Sequence, residues 1–228
     1  KHDFSNTVLN YILFKNGTDI NEVKNRIVDY ILYDKPNKPT SKLAEIIKNK
    51  KTTTEKVGNI DISEWKRFRI CGDDDSLFKL VQPSPRTLTE YIYEGDTPFV
   101  ASGAFNNGVE KYVEVKDGEI LDEGNCISVS AIGGFSFYQK NDFIGRGGAG
   151  SAIKLLYSEK LNENNALFIC TVLKQQLSQY DYNDMISGAK LKKEHIFLPV
   201  DKKGNPNWSL MEKDIIEIIK QLDDIKNI

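Results

Sequence analysis

A chain of 228 residues, with 39% hydrophobic and 28% charged positions and 31 Lys and Arg against 33 Asp and Glu, is long enough for one large or two small domains and buries a real core. Those figures exclude a large multidomain enzyme, a disordered chain and a fibrous one. The longest apolar runs, at 166–170 and 196–200, fall far short of the roughly 18–20 residues of a membrane span, so no membrane partner is expected.

The start, Lys1-His2-Asp3-Phe4, has neither a basic-then-apolar leader pattern nor an initiator Met, and is read as the beginning of a piece of a longer chain. Cys71, Cys126 and Cys170 form no CxxC and have only His2 and His195 for company. Neither a zinc site nor a disulfide framework is expected, which favours the cytoplasm. The net charge of −2 is uneven: residues 1–60 carry 11 Lys and Arg against 7 Asp and Glu, leaving 20 against 26 for the remainder. Nucleic-acid binding would therefore need local basic patches or a basic partner.

Residues 1–58 predict a separate helical unit. Val8, Leu9, Tyr11, Ile12 and Leu13, then Val23, Ile27, Val28, Ile31 and Leu32, recur at three-to-four spacing around a break at Asn16-Gly17-Thr18-Asp19. A third stretch, at 43–47, follows Pro36 and Pro39, and a polar run at 48–56 reads as a linker. From residue 59 the texture changes. Short apolar or alternating runs at 65–70, 98–101, 111–115, 126–131, 135–139, 152–156 and 195–200 predict strands. Residues 165–179 carry Ala166, Phe168, Ile169, Val172, Leu173 and Leu177 at helical spacing. The last segment places Met211, Ile215, Ile218, Ile219, Leu222 and Ile225 on one face of a terminal helix, with Ser209 as its cap and Glu212 three residues on. The class is mixed α/β, in two parts: 1–58, and 59–228 ending in an amphipathic helix.

Four strings carry possible chemistry, each with an ordinary alternative. Gly145-Arg146-Gly147-Gly148-Ala149-Gly150 fits GxGxxG, yet no long buried strand precedes it and no acidic residue follows in a βαβ frame; a turn or close-approach loop carrying Arg146 fits better. Glu114-Val115-Lys116 with Asp96 upstream has the D…ExK layout of a magnesium nuclease, if period-two alternation puts Glu114 and Lys116 on one strand face; solvated strand residues are the alternative. Asn205-Pro206-Asn207-Trp208 resembles the NPP(Y/F/W) loop of amino-methyltransferases without its second Pro, and reads as a turn with Trp208 packing under the terminal helix. His195 sits in a predicted strand, which argues for a structural histidine over a nucleophile's base.

The order of pieces between residues 65 and 225 is more specific than any one of them. Trp65-Lys66-Arg67-Phe68 with Leu77-Phe78 comes first, then Gly95-Asp96-Thr97-Pro98-Phe99-Val100-Ala101-Ser102 with Asn106-Asn107-Gly108-Val109. Gly124-Asn125-Cys126-Ile127-Ser128-Val129 follows, with Gly133 and Phe137-Tyr138-Gln139. Asn165-Ala166-Leu167-Phe168-Ile169, Tyr180-Asp181-Tyr182, Leu191, Ile196, Leu198-Pro199, Gly204-Asn205-Pro206, Trp208 and Met211 complete the series. This order resembles one target-recognition domain of type I restriction-modification DNA specificity subunits, in the variety found in BcgI-like systems.

The resemblance implies a mixed-sheet recognition domain with flanking helices that docks on a methyltransferase subunit or domain, reads double-stranded DNA and selects the adenine to be methylated. It implies no catalytic residue, metal or cofactor in this chain; S-adenosylmethionine and Mg²⁺ would serve the partner subunits. A full specificity subunit carries two such domains, so one domain implies a half-site, a second recognition unit or a homodimer. Base-reading residues vary with the target in this family, so candidates come from chemistry. Ser102, Asn106, Asn107, Tyr138, Gln139 and Arg146 are the expected base-edge residues, and Lys111, Lys140, Lys154, Lys190, Lys192 and Lys193 the expected phosphate contacts. The rival expectations are the nuclease using Asp96, Glu114 and Lys116, and a protein-interaction adaptor that touches no DNA.

Overall fold

The computed structural model describes residues 65–226, with side chains through Lys220. The expected helical segment 1–58 and its linker lie outside the described residues, as do the side chains of Leu222 and Ile225.

Four consecutive residues, Cys126 to Val129, are all buried, which requires cover on both faces of the strand they form. This strand, β5 (Cys126–Val129), lies inside a four-stranded antiparallel sheet with β2 (Lys79–Val81), β6 (Ser136–Gln139) and β8 (Lys154–Tyr157), in the order β2-β8-β5-β6. On one face, Ile127, Val129 and Leu156 join the main core with the helices. On the other, Cys126 and Leu155 pack with Val100, Phe143 and Ile153. That second face is roofed by a three-stranded sheet, β4-β3-β7, made of β3 (Thr97–Val100), β4 (Val109–Val113) and β7 (Ile144–Gly145), with β3 antiparallel to β4 and parallel to β7. A two-stranded ribbon of β1 (Lys66–Arg69) and β9 (His195–Leu198) completes the strands, and the architecture is mixed α/β.

Helix α1 (Glu163–Leu177) forms because its apolar residues recur at helical spacing and its first turn is capped reciprocally. Asn165 N donates to Asn162 Oδ1 at 3.0 Å, and Asn162 N to Asn165 Oδ1 at 2.9 Å. Phe168, Ile169, Leu173 and Leu177 are buried against the main sheet. The turn between β5 and β6 presses onto the end of this helix at Gly134, where a Cβ would overlap the side chain and backbone of Leu177. After the short α2 (Gly188–Leu191) and β9, the terminal helix α3 (Trp208–Lys226) buries Met211, Ile215 and Ile218 against α1.

Several expected strands differ by up to two residues at an end, β5 stopping at Val129, β9 at Leu198 and β8 starting at Lys154, and two corrections carry further consequences. Ser209 does not cap α3: it is already inside the first turn, and Asn207 Oδ1 accepts from Leu210 N at 3.1 Å. The cap falls there because Pro206, bridged to Val200, ends the preceding turn immediately before Asn207. The other correction concerns β4, which ends at Val113 rather than 115. Its ladder with β3 runs out at the Thr97–Val113 pair, and Gly95 then packs directly on Val113 O and Glu114 N. Glu114 and Lys116 therefore lie beyond the strand.

Candidate nucleic-acid interface

Strand direction brings the loops together. The C-terminal ends of β3, β5 and β7 and the N-terminal end of β8 share one edge of the two sheets, so loops 101–108, 130–135 and 146–153 start from neighbouring points. Side chains tie them. Ser102 Oγ donates to Ser151 O and accepts from Ala131 N at 3.1 Å, while Arg146 Nη1 donates to Ser151 Oγ at 2.6 Å. The segment 180–187 joins through Ile186 N to Ala131 O at 2.8 Å and Gly133 N to Tyr180 O at 2.7 Å. Ser151, which holds both Ser102 and Arg146, was not a candidate by sequence; a serine after a glycine run gives no signal of its own.

Loop 101–108 runs from this meeting point along β6, the outer strand of its sheet. Asn106 and Asn107 adopt φ of 50° and 56°, a left-handed conformation that asparagine tolerates better than most side chains. The loop is closed by Ala101 N to Gly108 O and Gly108 N to Phe105 O, both at 2.9 Å. Asn107 Nδ2 donates to Tyr138 O at 3.1 Å and Gln139 Oε1 at 3.2 Å, and Gln139 Nε2 donates back to Asn107 O and to Ser128 Oγ, both at 2.9 Å. This lock leaves Phe105 at the loop's tip with 74% of its surface exposed. It also removes Gln139 from the base-edge set. Gln139 is buried with its amide committed on both sides, because its register position opposite Cys126 points it between the sheets. Asn107 uses its amide nitrogen the same way, to hold the loop. Asn106 is exposed, with Nδ2 donating to Val109 O at 3.0 Å, and Tyr138 Oη donates to Asn125 Oδ1 at 3.0 Å.

The GxGxxG string forms a close-approach loop. Gly145 ends β7, and a Cβ on Gly147 would overlap Pro83 O and Ser84 O. Arg146 is fixed through its backbone, N to Val100 O at 2.8 Å and O from Ile153 N at 3.1 Å, and the chain then enters β8 rather than a helix.

The expected phosphate contacts differ in what they already hold. Lys140 donates to Glu163 at 2.8 Å, a bond that raises its pKa; Lys111 stands 3.9 Å from Glu94; Lys190 pairs with Asp184 and donates to Met185 O at 3.0 Å. Lys192 and Lys193 are exposed, with no ion pair among the described residues. Lys154 is withdrawn from the set. It is buried, opposite Val129, donates to Ala152 O at 3.1 Å, and burial lowers its pKa.

The nuclease residues do not assemble. Lys116 Nζ donates to Glu90 at 3.1 Å and lies 4.4 Å from the Tyr91 ring centroid, while Glu114 and Asp96 are exposed. Among the described residues no group of three or more His, Cys, Asp and Glu could hold a metal ion. Burial pushes the Cys71 thiol up to about 11 and that of Cys126 to about 12, and the three cysteines are free. His195 Nδ1 lies 3.2 Å from Arg67 Nη2 and 3.0 Å from Lys193 O, partners that a structural histidine in β9 would have. Asn205-Pro206 forms the expected turn, with Asp201 Oδ1 accepting from Lys203 N and Asn205 N, but Trp208 is not beneath the terminal helix: it is the first residue of α3 and packs edge-on to Phe78 at 6.1 Å.

Comparison with known proteins places these features in a family. The family model described as type I restriction modification DNA specificity domain matches residues 63–228. The type II restriction enzyme BgcI specificity subunit S.BcgI of Heyndrickxia coagulans is 23% identical over 153 residues, 65% of this chain and 42% of that protein. Two solved structures also align. The type I restriction-modification S subunit from M. genitalium does so at 13% identity and TM-score 0.49, over 99% of this chain and 53% of that one. The HsdS subunit from Thermoanaerobacter tengcongensis does so at 16% identity and TM-score 0.46, over 72% and 40%. The chain thus spans about half or less of the length of these proteins. With a family model that spans the whole described fold, this chain belongs to the type I restriction modification DNA specificity domain family.

Proposed function

We propose that this chain is a sequence-specific DNA recognition module of a restriction-modification system, directing an adenine methyltransferase, and a nuclease with it, to their target. The family match over residues 63–228 carries this reading. The loop edge supports it: short polar side chains, Arg146 and an exposed aromatic residue sit on loops anchored to rigid strands, an arrangement that can present hydrogen-bonding groups to base edges. On this reading Asn106 and Arg146 face base edges and Lys111, Lys140, Lys190, Lys192 and Lys193 face phosphates, while Ser102, with its hydroxyl spent on Ser151 O and Ala131 N, holds the loops together, and Tyr138, opposite Ile127 on the helix-covered face of β6, stands apart from the loop edge. Methyl transfer with S-adenosylmethionine, and Mg²⁺-dependent cleavage, belong to partner subunits. The single domain reads a half-site beside a second recognition unit or a second copy, in the cytoplasm.

The test is selection from a randomised duplex pool at two salt concentrations with Mg²⁺ present, reading both retention and cleavage. Enrichment of an uncut motif is expected. Cleavage by the chain alone would favour a nuclease, and retention without any enriched motif would reject sequence-specific recognition.

A further inference from the structure

Arg86 is the most heavily committed charged residue of the described chain, and sequence reasoning did not single it out. Its side chain is 8% exposed; Nε donates to Glu119 Oε1 at 2.8 Å and Nη1 to Asp122 Oδ2 at 2.6 Å. Nη1 also lies 3.5 Å from Gly145 O, and Nη2 donates to Ile120 O. The Asp122 oxygen that takes Arg86 also accepts from Gly145 N at 2.9 Å. Asp122 and Phe143 exchange backbone hydrogen bonds at 2.9 and 3.1 Å, and Gly147 sits against Pro83, three residues before Arg86. Three segments, around 83–86, 119–122 and 143–147, are thus fastened at the root of the loop that carries Arg146.

Energetics separates position from stability here. A buried ion pair contributes little net stability compared with apolar residues of the same volume, because desolvation offsets the attraction, but its directional bonds fix geometry. Gly145 N–H and C=O both meet this cluster, and Gly145 is the residue before Arg146. Arg86 is too buried to reach DNA itself.

We propose that Arg86 and Asp122 are positioning residues for sequence discrimination: they set the root of loop 146–151, and hence the angle at which Arg146 is presented. This rests on the proposed DNA recognition.

The test uses the full chain, the motif selected from the random pool and a scrambled duplex of the same composition. Preference for motif over scramble is measured by competition for wild type, Arg86→Lys, Asp122→Asn, Arg146→Ala and the double variant Asp122→Asn/Arg146→Ala. Arg86→Lys and Asp122→Asn are expected to lower the preference at least about fivefold, the low end for one lost base contact, with scramble affinity unchanged. Arg146→Ala is expected to lose as much, and the double variant no more than Arg146→Ala alone, since the pair acts only through that arginine. Equal losses on motif and scramble, additive losses in the double variant, or unfolding of both single variants would overturn the positioning role. An absence of any motif for wild type would instead overturn the recognition reading, and this inference with it.

Discussion

Lys154 shows how one residue can be misjudged from its chemistry alone. A lysine in a strand of a chain proposed to bind DNA reads as a phosphate contact, yet its register opposite Val129 turns it inward, where among the described residues it donates to Ala152 O alone. Burial disfavours its charged form, so its pKa in the folded chain lies below that in the unfolded chain. The unfolded state then binds more protons between those two values, and stability rises with pH across that window; below it the cost of the buried charge is present in full. Lys154→Met is therefore expected to stabilise the domain at pH 7 by about 1–3 kcal/mol, the usual scale for a poorly compensated buried polar group. The gain should shrink as pH approaches the lysine's unfolded value. Thermal unfolding of both proteins between pH 7 and pH 10 measures this, and a destabilised Met variant would show that the ammonium is needed where it stands. Gln139 was misjudged for the same reason. When both faces of a sheet are covered, apolar alternation no longer marks the inward side, and the occasional polar residue on a covered face looks like a surface residue.

At the scale of elements, what was legible depended on length and on local partners. Helices α1 and α3 were read to within two residues because four or more turns of apolar spacing outvote any single residue. Strands β2 and β7 and helix α2, at three, two and four residues, carry too few positions to show a period and exist only because longer strands pair with them or loops hold them. The end of β4 was placed two residues late because Gly95, just before β3, packs on Val113 O and Glu114 N where pairing stops. Loop 101–108 shows the same dependence, since the conformation at Asn107 is held by Gln139, 32 residues away. This makes a separable prediction. Asn107→Ala loses the bonds to Tyr138 O and Gln139 and also forces a Cβ residue without asparagine's tolerance into φ 56°, whereas Asn107→Gly loses the bonds alone. Asn107→Ala is expected to be the less stable by about 1 kcal/mol, seen as a lower urea midpoint at unchanged slope. Equal midpoints for the two variants would mean that the left-handed backbone there is relaxed.

For the molecule as a whole, the proposed DNA recognition sets an acidic charge balance against a polyanionic target. Outside the first 60 residues the chain carries 20 Lys and Arg against 26 Asp and Glu. Several of the cations proposed for phosphates are already paired: Lys140 with Glu163, Lys190 with Asp184 and Lys111 near Glu94. A paired lysine must give up its carboxylate to meet a phosphate, and the exposed carboxylate left behind repels the same DNA, so such residues release few counterions on binding. Lys192 and Lys193, exposed and without an ion pair among the described residues, bear no such cost. Each phosphate neutralised lowers the slope of log K against log salt by about 0.9 on duplex DNA. Binding by this chain is therefore expected to show a shallow slope, and Lys192→Ala/Lys193→Ala is expected to make it shallower by about 2 while weakening motif and scrambled duplexes alike. A titration series from low to moderate salt reads both quantities at once. A slope that does not move would take the segment after α2 off the DNA, and a motif-selective loss would put these lysines at base edges rather than phosphates. A shallow wild-type slope would also place most of the phosphate attraction outside this domain, so that on the proposed reading an acidic reader contributes sequence choice while a basic partner supplies the grip.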